Sequence, residues 1–163
     1  MRQRLGRWSV TFLFVLGCLT PALPAAAAGA DEAAVRQAAT QFYAALNALF
    51  GGDVAPMVAV WSHAADVTYM GPAGGMQVGW PAIEAKWTSQ AAMKLGGAVE
   101  PTDVHVTVGE TLAVMQNYEK GTNTNLGGKP ATVSIRVTNT FRKEGGTWKM
   151  IGHHTDLLEQ LAQ

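Results

Sequence analysis

Cysteine is nearly absent: the 163 residues hold one, Cys18. Apolar runs are short as well. The longest, Trp8 to Leu19, is interrupted by Ser9, Thr11 and Gly17 and falls well below the roughly 20 residues a membrane-spanning helix needs. Neither charge is in excess, since twelve Lys and Arg balance twelve Asp and Glu. These shortages exclude a disulfide scaffold, a Cys-ligated zinc site and a basic surface built for nucleic acid. Aromatic and aliphatic residues are plentiful enough for one real core, which argues against disorder. The length suits one ordinary domain.

What is present begins with the grammar of a secretory leader. Arg2, Arg4 and Arg7 precede the apolar run, and Pro21, Pro24 and a small-residue stretch from Ala25 to Ala30 follow it. That order predicts a signal peptide over residues 1–28, with export to the periplasm or the exterior of a bacterial cell. Val15-Leu16-Gly17-Cys18 offers a second processing route, acylation of Cys18 to give a lipid anchor. If Cys18 leaves with the leader, the remaining chain has no thiol. It then carries nine basic and twelve acidic residues, a net charge of −3 with histidines neutral. No nucleic-acid partner is expected, and no membrane contact once the leader is cleaved.

From Asp31 the periodicity is helical. Val35, Ala38, Phe42, Leu46 and Leu49 fall on one face, Asp31 stands where a cap would be, and Gly51-Gly52 supplies a stop. Asp53 then opens a short second helix reaching about Trp61. Asp66–Met70 and Met76–Val78 read as a hairpin around Gly71-Pro72-Ala73-Gly74-Gly75. Gly79-Trp80-Pro81 opens a third helix fading towards Gly96-Gly97. Four strands follow, Val104–Val108, Leu112–Tyr118, Val133–Arg142 and Trp148–Thr155, with Gly121 to Pro130 and Lys143 to Gly146 read as turns. Three helices before an antiparallel meander define an α+β fold, one domain over residues 31–163.

These elements carry a resemblance. Phe42-Tyr43 on the first helix, Trp61 closing the second, Asp66-Val67-Thr68-Tyr69 running into Gly71-Pro72, and Gly79-Trp80 before Ile83 and Trp87 resemble the nuclear-transport-factor-2-like superfamily. The stretch from Arg136-Val137-Thr138 through Phe141 to Gly152-His153-His154 resembles its SnoaL-like branch, which includes the kinase II association domain. The resemblance implies a cone, with three helices packed on a strongly curved antiparallel sheet of about six strands around a pocket. It also implies a homodimer through the outer face of the sheet. Ketosteroid isomerases of this fold need a carboxylate just before the hairpin proline, and here Met70 and Gly71 occupy those places. Tyr43 could still donate a hydrogen bond, as the helical tyrosine of those enzymes does. The second acid of those enzymes falls near Arg136 or Thr138, again without a carboxylate.

The histidines offer a second route to chemistry. Dehydratases of this fold use paired histidines with tyrosines, and histidine is the natural acid–base group near neutral pH. His153 and His154 are consecutive on a strand, so at most one lines the cavity; the other reading for both is structural. His63, at a helix–loop junction, is expected to be exposed. No i, i+4 histidine pair or acid cluster suggests a metal, and no cofactor is expected. Tyr69 and Trp80 are expected in the cavity wall, Trp87 in the core. Arg136 and Thr138 share one face of their strand. By resemblance that face is concave and suits an anionic ligand; the alternative is a solvated Arg136, with Val133, Val137 and Phe141 packed on the helices. The expectation is an exported protein whose apolar pocket binds a small organic molecule, an anionic one if Arg136 faces the pocket. The alternatives are a lyase or isomerase using a pocket histidine, or an oligomeric hub.

Overall fold

The computed structural model describes the backbone of residues 25–126 and 129–156, and the side chains of 29–124 and 129–156. The leader read in residues 1–28, with Cys18, lies outside the described side chains; only its last four residues are placed, as helix. Helix α1 spans Ala25–Phe50, α2 Ala55–Val60 and α3 Trp80–Met93. The strands are β1 Thr68–Met70, β2 Gln77–Val78, β3 Ala98–Val108, β4 Leu112–Leu126, β5 Lys129–Glu144 and β6 Thr147–Asp156.

The apolar face of α1 is the one its spacing predicts. Val35, Phe42, Leu46 and Leu49 are buried against the sheet, and each such side chain contributes about 1.5–3 kcal/mol by leaving water. Because α1 starts at Ala25, Asp31 is not a cap. Its carboxylate instead accepts hydrogen bonds from Lys143 Nζ (2.6 Å) and Trp148 Nε1 (3.3 Å), tying the helix to the β5–β6 hairpin. At the other end Gly52 adopts φ +104°, a conformation that favours glycine, and its N–H bonds the Leu49 carbonyl. Asp53 Oδ1 accepts the Ala55 N–H at 3.0 Å, which starts α2.

The six strands form one sheet in the order β2-β1-β6-β5-β4-β3. It wraps the helices as the expected cone, but it is not wholly antiparallel. β1 runs parallel to β6, pairing Thr68 with Gly152, Tyr69 with His153 and Met70 with His154. A long crossover through α3 and the other strands makes that direction available. β3 begins six residues earlier than the sequence suggests. Pro101 is tolerated because β3 is an edge strand, and Asp103 (φ 54°) lies in a β-bulge between Thr102 and His105. The expected turn from Gly121 to Pro130 is largely strand: the β4–β5 ladder continues through Gly121 and Val133 to Asn123 and Ala131. Gly121 marks a close approach, not a reversal. A Cβ there would collide with the Ala98 carbonyl.

Candidate functional site

Strand alternation sorts the side chains into two faces. Towards the helices point Ala113, Met115, Asn117 and Glu119 from β4, Ile135, Val137, Asn139 and Phe141 from β5, and His153 and Thr155 from β6, all buried. The Arg136–Thr138 side is therefore the outer face, and the concave orientation expected for it is corrected. The physical reason is the ordinary one: the apolar series on β5 takes the core. Arg136 is exposed and paired in a fork with Asp156, at 3.1 Å through Nε and 2.6 Å through Nη2. Thr138 lies beside it, in register with Gln116 and His154.

Between α1, α3 and the inner face of the sheet lies a cavity of about 260 Å³. Tyr69, Trp87, Gln90, Glu119, Ile135 and His153 are among the residues that line it. The wall is a continuous aromatic surface. The Tyr69 and Trp87 rings lie 4.3 Å apart, and Tyr69 stacks with His153 at 5.8 Å and 6° between planes. No Lys or Arg is among the lining residues.

The polar groups in and behind this wall are mostly tied to one another. His153 Nδ1 lies 2.6 Å from Asn139 Oδ1. With that oxygen accepting, the ring proton sits on Nδ1 and the ring is neutral. Burial, helped by the neighbouring His154, pushes the His153 pKa down to about 3. Asn117 Nδ2 donates to Tyr43 Oη at 2.8 Å, and Gln90 Nε2 donates to Tyr69 Oη at 2.9 Å. Burial raises both phenols, Tyr69 to about 12.

Glu119 is the exception. Its side chain is buried, and Oε2 has no hydrogen-bond partner. Burial alone pushes its pKa from 4.5 up to about 7, the behaviour of a carboxyl taken out of water without a counter-charge. The indole N–H of Trp87 and the side-chain oxygen of Asn123, both from cavity-lining residues, are likewise buried without partners. Unpaired buried polar atoms are costly in a folded chain, and three of them belong to residues lining this one hollow.

Of the residues singled out in the sequence, the structure brings Tyr69 and His153 to the cavity. Tyr43 stands behind it, in the Asn117 network. Trp80 is not part of the wall; it begins α3 and stacks on exposed His63 at 4.2 Å. Trp87, read as core, is both core and wall. His154 is exposed on the outer face. Met70 and Gly71 precede Pro72 with no carboxylate, as read. Glu119, Gln90 and Asn139 were missed. Glu119 shares its phase on β4 with Ala113, Met115 and Asn117, but the opposite series of Leu112, Val114 and Tyr118 is as apolar, so no sequence signal singles it out. Among the described residues no group of three His, Cys, Asp or Glu could hold a metal.

Three helices within a bent, mostly antiparallel sheet, enclosing a hollow at their junction, define the nuclear-transport-factor-2-like class of fold. Residues 35–156 match the family model of the SnoaL-like domain, and the chain belongs to that family. Solved structures agree on the fold. A candidate dehydratase of the NTF2-like family from Streptomyces avermitilis superposes with a TM-score of 0.71 at 24% identity, over 80% of this chain and 98% of that one. A candidate calcium/calmodulin-dependent kinase II association domain from Thiobacillus denitrificans gives 0.64 at 26%, over 75% and 93%. A candidate ketosteroid isomerase from Shewanella frigidimarina gives 0.59 at 19%, over 73% and 91%. No curated protein matches the sequence.

Proposed function

We propose that the protein binds a small, largely apolar organic molecule in the inner cavity, anchored by a polar contact to Glu119. The observation that carries this is the unpartnered Oε2 of a buried Glu119 in an aromatic-walled hollow. At about 260 Å³ the cavity is slightly under the roughly 300 Å³ at which drug-sized pockets begin, so the ligand is a compact one. An anionic ligand is disfavoured. Arg136, which would have received it, faces outward and is already paired with Asp156, while Glu119 would repel a carboxylate.

Glu119 also supports a second reading, an isomerase- or lyase-type enzyme in which this carboxyl moves a proton. A carboxyl that titrates near neutral pH suits that work. His153 is a poor base with a pKa near 3, and His154 lies on the other side of the sheet. The leader supports export, so that the domain would act in the periplasm or outside the cell. Exposed Leu112, Val114 and Tyr118 on β4 support a homodimer through the outer face.

The binding reading is tested by extracting purified protein with organic solvent and identifying released compounds by mass spectrometry, beside an Ala131→Trp variant that fills the cavity. A defined small molecule is expected from the wild type and not from the variant. No release from either, or equal release from both, overturns it.

A further inference from the structure

The identity of the anchoring group limits what the cavity can hold. Its unpartnered groups include two oxygen acceptors, Glu119 Oε2 and Asn123 Oδ1, against one donor, the Trp87 indole N–H. Its walls carry the rings of Tyr69 and Trp87, tilted at 48° to each other with their centroids 4.3 Å apart. No cationic side chain lines it. A buried carboxyl that shares its hollow with aromatic rings and has no cationic side chain in the lining has the composition of a site that completes itself with a cation: the ring quadrupoles attract positive charge, and the carboxylate regains the counter-charge that burial took away.

We propose that the ligand class of this cavity is an organic ammonium ion, seated with its charged nitrogen between Glu119 and the Tyr69–Trp87 walls and its apolar body against Leu46, Phe50 and Ile135. This rests on the reading that the cavity holds a small molecule, and goes beyond it by fixing the ligand's charge. A neutral ligand would leave Glu119 holding its proton. A cation would take contacts with both its oxygen and the rings, and would shift the carboxyl to its ionised form on binding. The other titratable groups facing Glu119 do not change state near neutrality. Tyr43 on α1 and Tyr69 on β1 are raised by burial, and His153 on β6 is held neutral. The strand neighbours of Glu119 in register are Pro101 on β3 and Ile135 on β5, neither of them ionisable. Binding should therefore carry the titration of one group.

The test uses choline, whose charge is permanent, and 3,3-dimethylbutan-1-ol, which has the same shape with carbon in place of nitrogen. Binding to the whole protein is followed by calorimetry and by the fluorescence of its tryptophans. At pH 8 choline is expected to bind at least tenfold more tightly than the alcohol. Lowering the pH to 6 should weaken choline about tenfold, as Glu119 takes up its proton, and leave the alcohol unchanged. In a Glu119→Gln variant, shown to be folded by its circular dichroism, the preference for choline should vanish while the alcohol still binds. Equal binding of the two probes by the wild type, or a choline preference that survives in Glu119→Gln, overturns the ammonium proposal and leaves the cavity reading standing. Binding of neither probe by the wild type overturns both.

Discussion

Replacing Glu119 with glutamine should stabilise the protein at high pH and leave it unchanged at low pH. The folded chain keeps the Glu119 proton up to about pH 7, whereas an exposed glutamic acid releases it near 4.5. The stability associated with the protonated form is thus fully present below pH 4.5 and is lost as pH rises through 7. Each pKa unit is worth about 1.4 kcal/mol, so the full loss is about 3 kcal/mol. Glutamine matches the protonated acid in shape and has nothing to ionise. Urea denaturation should therefore give the two proteins equal stability at pH 4, and the variant an advantage of about 3 kcal/mol at pH 8, near 10 °C in Tm for a domain of this size. His153 works in the opposite direction. Its depressed pKa removes stability as pH falls below 6.5 towards 3, but both proteins carry it, so the comparison cancels it. A stability difference that is the same at both pH values would refute the reasoning.

Two further substitutions probe the surroundings of the cavity and one probes the outer face. Asn139→Leu removes the acceptor 2.6 Å from His153 Nδ1 and should cost about 1–3 kcal/mol in urea denaturation, the cost of an unsatisfied buried donor. Gly71→Ala places a Cβ against the Tyr69 hydroxyl; displacement of that ring should weaken choline binding several-fold in calorimetry and cost about 1–3 kcal/mol of stability. Arg136→Ala breaks an exposed ion pair, which should change stability by about 0–1 kcal/mol and leave choline binding within twofold.

Much of the fold was legible because local rules and tertiary packing agreed. The α1 stripe, the hairpin glycines and the proline opening α3 each meant what they mean in isolation. Reading failed where a local signal served a long-range purpose. Gly121 and the polar residues after it suggest a turn, yet that glycine admits the Ala98 carbonyl and the strand continues. Asp31 suggests a cap, yet it reaches Lys143 and Trp148 across the sheet. The parallel β1–β6 pair depends on a crossover that no local pattern announces.

The site was harder for a related reason. On β5 the apolar series Val133, Ile135, Val137 and Phe141 should face the core by the plain burial rule, and it does; resemblance to enzymes with a polar concave face pointed the other way for Arg136. On β4 both alternating series are mixed. Leu112, Val114 and Tyr118 are as apolar as Ala113 and Met115, so sequence could not say which side Glu119 would take. Its inward placement follows only from the register with β5. His153 was singled out as one of two consecutive histidines on the last strand, but its neutrality depends on Asn139 and on burial, neither of which its sequence neighbours reveal.

The most direct measurement is the titration of the Glu119 side-chain carboxyl by carbon-13 NMR, with and without saturating choline. The expected midpoint in the free protein is near 7, falling by at least one unit when choline is bound. A midpoint near 4.5 in the free protein, or one that choline does not move, would contradict the assignment of Glu119 as the anchor of a cation.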